Sequence, residues 1–398
     1  MSSNILFIEI CNFIDYPTGG HLSFAKNTLS AFGNDLYLVG STTDESDPVG
    51  AWFQKEIDGV LYNYFAVKKV KKESKKPFIP ARLSSFFWVK RKCKKIFSRT
   101  DFDIVLVQTP EVLFAVRKFV SKPLIIEMPG IENPLSISRY KVGKLFSGLY
   151  DKVFFRYIKK DDLLLAAADS KAIKSFIERS RGKVTDERVR QFPNSFNEKY
   201  FKIRDKYNSR SELNIEPGLN VLITVGRLNW FKGWKFMIDS FEKFLIHKPN
   251  SIFVFIGDGE DEAGIRAYIC ERNLEQKIDL VGRKEFYELG MYLSAADLFI
   301  MGSYKEGWST SLVEAVACGV PCVVTDFSSA NDLVENSING FVVVERNDEL
   351  FANKMLEAMN LPQSGVEQKA QEIKKFSISN LKNLFYKTIY NCDENNCQ

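Results

Sequence analysis

Histidine is nearly missing from this chain: of 398 residues only His21 and His247 carry an imidazole. Metal centres and acid/base chemistry built on histidine therefore have few candidates. The seven cysteines, at 11, 93, 270, 318, 322, 392 and 397, form no CxxC pair and no Cys/His cluster. The spacing of a zinc site is absent, and the thiols read as reduced, buried or inert groups of a cytosolic protein. No apolar run approaches the ~18 to 20 residues that span a bilayer. The N-terminus, MSSNILFIEI, lacks the basic n-region and small-residue cleavage site of a secretory signal and reads as a first β-strand. No repeat of solenoid period is visible. What is present is a globular composition, 45% hydrophobic and 26% charged, at a length that fits two domains.

The net charge of +5 is unevenly spread. Between Lys68 and Arg99 there are thirteen Lys/Arg against one acid, Glu73, a local charge of +12. The remainder holds 42 basic and 49 acidic residues, or −7. Phe78, Phe86, Phe87, Trp88, Ile96 and Phe97 are interleaved with the cations. Basic and aromatic residues together fit an anionic membrane surface or a nucleic acid; a solvated helix face with a lysine-rich loop is the plainer alternative.

Short apolar strands alternate with amphipathic helices, which predicts parallel sheets in α/β layers. Strands are expected at 4–10, 35–39, 103–108, 123–128 and 162–167, with a strand pair near 52–66. Helices are expected at 22–32, 83–99, 111–119, 136–160 and 170–180. A second series starts near Gly218, with strands at 220–226, 251–257, 277–282, 297–302, 321–326 and 340–344. Its helices fall at 233–247, 260–272, 285–294, 310–318 and 347–360. The polar stretch 196–217 reads as a linker between domains at 1–195 and 218–375. A closing amphipathic helix is expected over 376–398, returning to the first domain. Two such series predict two Rossmann-like domains facing a cleft, with ligands beyond the carboxyl ends of the strands.

VGRLNWFKGW (225–234) leaves a strand and enters a helix. Gly226 permits the turn, and Arg227 and Lys232 stand near a helix start, the composition of a diphosphate site. PTGGHLSFAK (17–26) follows the first strand, and Gly19 and Gly20 let a ligand approach the backbone. IGDGEDE (256–262) is half a dinucleotide fingerprint, but Glu262 replaces the third glycine and four acids would repel a pyrophosphate. Asp101-Phe102-Asp103 is formally a DxD, but it precedes a strand, at the wrong sheet end for ligands.

EGWSTSLVEA (306–315) places Glu306 in a loop and Glu314 soon after a helix start that Ser309, Thr310 or Ser311 caps. Three readings compete. A glycosidase pair needs two carboxyls about 5 to 9 Å apart across a sugar. A metal pair wants further oxygen ligands or a histidine. In the third, the carboxylates accept hydrogen bonds from sugar-nucleotide hydroxyls while Arg227, Lys232 and the helix start hold the diphosphate. Only the third uses the cations.

At these residues the chain resembles a known family. VGRLNWFKG, EGWSTSLVEAVACGVPCVVTD, NSINGFVV, PTGGHLSFAKNTL and FPNSFNEKYF look like the retaining glycosyltransferases of family four, whose fold is GT-B. The Glu306-x7-Glu314 spacing is that family's hallmark. The resemblance implies an α/β GT-B fold whose closing helix crosses back to the N-domain. Arg227, Lys232 and Glu306 would be the catalytic set. Glu314 would grip the ribose, Trp308, Ser309, Thr310 and Ser311 the donor, and Gly282 and Arg283 the base. Gly19, Gly20 and Gly226 would line the phosphates. His21 and Glu127 would lie on the acceptor side, where the segment EMPGIENP replaces the family's frequent histidine. Ser309-Thr310 also departs from the family pattern, at the place where the donor sugar would be chosen.

The implied reaction is metal-independent, retaining transfer from a nucleotide-diphosphate sugar, UDP rather than GDP, to a saccharide or lipid-linked hydroxyl. It fits cell-surface polysaccharide or glycolipid synthesis, with no cofactor. The basic segments 68–99 and 136–160 would hold the protein on the cytoplasmic face of the membrane. Competing readings are a GT-B sugar-nucleotide epimerase or phosphorylase, and a basic nucleic-acid-binding protein, for which no motif is present.

Overall fold

The computed structural model describes residues 4–16, 20–71, 81–99, 101–128, 130–131, 133, 135–136 and 145–390. The chain divides into two compact units, residues 1–194 with 381–398, and residues 195–380.

The first unit runs β1 (Ile5–Ile8), α1 (Gly20–Phe32), β2 (Leu36–Thr42), β3 (Trp52–Ile57), β4 (Val60–Lys69) and α2 (Ala81–Ile96). It continues with β5 (Ile104–Val107), α3 (Pro110–Val116), β6 (Leu124–Met128), α4 (Ser147–Tyr157), β7 (Leu163–Ala166), α5 (Ser170–Arg179) and β8 (Val189–Gln191). The sheet order is β3-β4-β2-β1-β5-β6-β7-β8, parallel except for the β3-β4 hairpin. That hairpin turns on Asp58-Gly59, both at positive φ (49° and 78°), the conformation such two-residue turns demand.

Period-two alternation sorts the strand residues onto two buried faces. Leu6, Ile8, Val105, Val107 and Ile126 pack with α2 to α5, while Phe7, Leu106 and Ile125 pack with α1. Burial on both faces is why these strands read as continuous apolar runs.

The second unit contains α6 (Lys206–Glu212), β9 (Asn220–Val225), α7 (Trp234–His247), β10 (Ser251–Ile256), α8 (Glu262–Glu271), β11 (Ile278–Leu280), α9 (Phe286–Ala295) and β12 (Leu298–Met301). There follow α10 (Thr310–Ala317), β13 (Cys322–Thr325), α11 (Ala330–Leu333), β14 (Gly340–Val343), α12 (Asp348–Ala358) and α13 (Gln363–Glu372). All six strands are parallel, in the order β11-β10-β9-β12-β13-β14. The closing helix α14 (Ile378–Tyr390) returns to the first unit, where Leu381 and Phe385 join the cluster around Phe7.

Five segments differ from the sequence reading, two of them β8 and α11, where no element was expected. Residues 196–217, expected as a linker, hold α6 and lie inside the second unit. Arg210 is buried there, its guanidinium 2.5 Å from Asp297 and bonded to the Ala295 carbonyl. A polar composition had concealed a paired, buried cation. Helix α13 was not anticipated. Of the helix expected over 136–160, the described residues include the helix Ser147–Tyr157, and 137–144 lie outside them.

Candidate functional site

In each unit the sheet has one point where the strand order reverses, and ligands of open α/β sheets bind beyond the carboxyl ends at that point. In the second unit it lies between β9 and β12. The loops leaving these two strands carry Gly226 to Gly233 and Gly302 to Ser309, so the predicted residues converge by topology.

The two loops are joined closely. Gly233 has φ 68°, and a Cβ there would stand 1.9 Å from the Gly302 carbonyl oxygen, so no other residue fits without displacing backbone. Tyr304 N–H donates to the Phe231 carbonyl at 2.8 Å. The Lys232 ammonium lies 2.6 Å from Glu306 Oε1, and Ser303 Oγ donates to the same oxygen at 2.6 Å. Lys232 arches over Gly226, where a Cβ would meet its Cε at 3.2 Å. Arg227 and Lys232 line one small cavity with Gly226, Leu228 and Met301. The Arg227 side chain is 70% exposed and pairs at 3.3 Å with Glu260.

Three groups complete the loop pair without having had a sequence signature. Arg346 donates to the Gly302 carbonyl and lies 3.7 Å from the Tyr304 ring centroid and 4.8 Å from that of Phe236. Burial pushes its pKa down. Asn229 caps the turn into Lys232, and Thr325 Oγ1 donates to the Ser303 carbonyl at 2.7 Å. A lone Arg, Asn or Thr at these positions has no motif; only their contacts reveal them.

Ser309 caps α10, accepting from Leu312 N–H. It is buried, while Thr310 and Ser311 are half-buried. Trp308 is buried with its ring edge-on to Phe376, 5.6 Å between centroids. Its side chain belongs to the core of this unit. Glu314 lies in the second turn of α10, soon after the helix start as expected, and is 7% exposed. Desolvation pushes its carboxyl up to about 8. Gly282, at φ 71°, accepts from Gly257 N–H beyond β11, and the neighbouring Arg283 is exposed.

In the first unit Gly20 opens α1, while Gly19 and the His21 side chain lie outside the described residues. Glu127, expected to face a cleft, is 3% exposed at the carboxyl end of β6. Asp101 pairs with Arg99, and Asp103 accepts from Asn4 N–H before β5, so the formal DxD is a strand entry. Acids 258–262 lead into α8 as an acidic turn. Cys11, Cys93, Cys318 and Cys322 are buried and Cys270 is exposed. Among the described residues no group of His, Cys, Asp and Glu could hold a metal ion.

Residues 205–377 match the family of glycosyl transferases, group 1. The chain is 30% identical over 140 residues to the Escherichia coli UDP-Gal:alpha-D-GlcNAc-diphosphoundecaprenol alpha-1,3-galactosyltransferase, covering 34% of this chain and 35% of that one. It is 30% identical over 141 residues to the Acholeplasma laidlawii alpha-monoglucosyldiacylglycerol synthase, covering 35% of each. The chain thus spans about a third of the length of these curated relatives. Among solved structures, Anabaena Alr3699/HepE in complex with UDP and glucose superposes with a TM-score of 0.71 at 16% identity, over 98% of this chain and 100% of that one. The fold is GT-B, as the sequence resemblance implied. The matched segment contains every residue of the β9/β12 site.

Proposed function

We propose that the chain is a retaining, metal-independent glycosyltransferase that moves a sugar from a UDP-sugar to a hydroxyl of a saccharide or lipid-linked acceptor. The observation that carries this reading is the Lys232–Glu306 pair against Gly226 at the strand reversal of a group 1 glycosyltransferase segment. The Glu306 carboxylate pairs with the ammonium, and a diphosphate would share it. Arg227, exposed beside the same cavity, would swing from Glu260 to the second phosphate. Glu314, buried and accepting no hydrogen bond among the described residues, would accept from ribose hydroxyls. The UDP assignment draws on the UDP complex of the structural neighbour.

In the reaction the bond from the sugar C1 to the diphosphate oxygen breaks and a bond from C1 to the acceptor oxygen forms on the same face. The acceptor proton passes to the departing phosphate oxygen. Lys232 and Arg227 stabilise the charge that develops there, the kind of interaction that dominates such catalysis.

The acceptor reading rests on relatives that act on a diphosphoundecaprenol-linked sugar and on a diacylglycerol lipid. Two surface helices of the first unit support attachment to the cytoplasmic face of an anionic membrane. Helix α2 exposes Phe87, Trp88, Lys90, Arg91, Lys94 and Lys95. Helix α4 exposes Leu149, Lys152, Val153 and Arg156 just after exposed Leu145 and Phe146. Among the described residues no helix is long and apolar enough to cross a membrane.

Incubation of the purified protein with a panel of UDP- and GDP-sugars and lipid-linked saccharides tests the reading. The expected product keeps the donor's anomeric configuration by NMR, and EDTA leaves the rate unchanged. Inversion, or loss of activity on chelation, overturns the corresponding part. Turnover of donor without acceptor would instead favour an epimerase, or with inorganic phosphate a phosphorylase.

A further inference from the structure

The loop from Ser303 to Ser309, which carries Glu306, is tied at both ends to one neighbouring segment. At its start the Ser303 carbonyl accepts from Thr325 Oγ1 at 2.7 Å. At its end Ser309 N–H donates to Ser329 Oγ at 3.3 Å. Thr325 closes β13 and Ser329 precedes α11, so both hydroxyls belong to the stretch 325–329. All four residues are buried, none above 3% exposure.

Ser329 is the anomaly. Its φ is 73° and its ψ −10°, the left-handed conformation that penalises a residue with a Cβ and that glycine adopts freely. The other non-glycine residues at positive φ among those described lie in exposed turns, Phe13 excepted. A serine before a helix ordinarily turns its hydroxyl onto that helix, yet Ser329 makes no such cap bond. The hydroxyl is turned instead to Ser309, whose N–H stands ahead of α10 and would otherwise be buried without an acceptor. Ser309 passes the contact on: its Oγ lies 3.5 Å from Met301 Sδ, and Met301 lines the cavity of Arg227 and Lys232.

We propose that Ser329 is a positioning residue of the β9/β12 site, its hydroxyl fixing the Glu306 loop against the start of α10. The inference rests on the transferase reading above and deepens it. Glu306 holds the Lys232 ammonium at 2.6 Å, so the place of that loop sets the place of the cation. Lys232 acts on charge that develops as the diphosphate departs. A displaced cation therefore slows turnover more than it weakens donor binding. The left-handed backbone is kept because the Cβ it penalises carries the hydroxyl that reaches the Ser309 amide.

Three variants separate positioning from support. Ser329→Gly removes the hydroxyl and relieves the backbone, whereas Ser329→Ala removes the hydroxyl alone. Thr325→Val removes the hydroxyl at the other end of the loop with little change of shape. Unfolding midpoints, hydrogen–deuterium exchange over 303–312, UDP affinity, and the kcat and KM of transfer are measured on the full chain. Ser329→Gly is expected to melt within about 2 °C of the parent or above it, and Ser329→Ala a few degrees lower. Despite that order, all three variants are expected to lose about tenfold in kcat, with donor KM and UDP affinity within about threefold of the parent. Exchange at the Ser309 amide is expected to be faster in both Ser329 variants. A purely structural role would make activity follow stability and leave Ser329→Gly like the parent. Parent-like kcat in Ser329→Gly, or unchanged exchange at Ser309, overturns the inference, while transfer by the parent keeps the transferase reading standing. Should neither Ser329 variant fold, the kcat of Thr325→Val decides in the same way. A parent chain that transfers no sugar overturns the transferase reading, and the inference with it.

Discussion

At the scale of single residues, charge placement decides what the β9/β12 site can do. Lys232 is held by two oxygen-bearing partners' geometry, Glu306 directly and Ser303 through Glu306, so its ammonium is positioned before any ligand arrives. Lys232→Ala removes one preorganised cation, and losses of about 10² to 10³ in kcat accompany removal of such a group. Transfer should fall by that range while the circular dichroism spectrum and unfolding midpoint stay close to the parent's. Near-normal turnover would remove Lys232 from the catalytic set. Glu314 gives a prediction with a sign. Its folded pKa of about 8 lies above the ordinary carboxyl value of 4.5. Stability from the protonated form is therefore fully present below pH 4.5 and is lost progressively as pH rises towards 8. Glu314→Gln lacks this dependence. Its melting temperature should match the parent's near pH 4.5 and exceed it increasingly up to pH 8, then by a constant margin. UDP affinity should fall by up to about tenfold, as expected for a lost hydrogen bond at a buried group. Parallel melting curves for the two proteins across pH 5 to 8.5 would contradict the burial of that carboxyl.

At the scale of elements, the site depends on two loops holding one another, and the residue that fixes them comes from a third segment. Arg346 follows β14, yet it bonds the Gly302 carbonyl and stacks on Tyr304. Arg346→Met keeps much of the apolar stem but loses the hydrogen bond and the cation–π contact, together about 1 to 3 kcal/mol. The expected result is an unfolding midpoint lower by that amount in urea and a reduced kcat/KM for donor, although Arg346 touches neither phosphate site directly. An unchanged kcat/KM would show that the loops hold without it. The strands of both units other than β8 were legible because buried parallel strands are continuous apolar runs with turn residues at their ends; β8, Val-Arg-Gln, is not such a run. Lys232, Glu306 and Glu314 were legible because their spacing is carried by one loop or one helix. Arg210, Arg346 and Ser329 were not. Arg210 reads as a solvated linker cation until Asp297 is beside it. Arg346 and Ser329 acquire meaning only from partners brought close by the sheet. Ser309 was legible as a cap: the sequence offered Ser309, Thr310 or Ser311 for that place, and Ser309 fills it.

At the scale of the whole molecule, the charge of +12 between Lys68 and Arg99 in a chain otherwise at −7 is a sorting of charge that no single site explains. Part of it is structural, since Lys68 reaches Ser84 and Arg99 pairs with Asp101. The rest of α2 presents its cations to solvent beside Phe87 and Trp88, and α4 adds Leu149 and Val153 between Lys152 and Arg156. Helices α2 and α4 both pack on α3, and Phe114 of α3 meets Tyr157 at 4.8 Å between centroids. They therefore belong to the same layer of the first unit. Each cation near an anionic leaflet contributes about 1 kcal/mol, and the exposed apolar residues enter the interface. Nucleic acid would use the same cations but not Leu149 or Val153. The double variant Leu149→Glu/Val153→Glu alters two exposed positions and should leave the fold within about 0.5 kcal/mol of the parent. It should reduce sedimentation with vesicles containing anionic lipid several-fold while salt-dependent binding to oligonucleotides, if any, is unaffected. Equal partition of the parent protein to vesicles with and without anionic lipid would overturn the membrane reading. Oligonucleotide binding tighter than vesicle binding would assign the charge to nucleic acid.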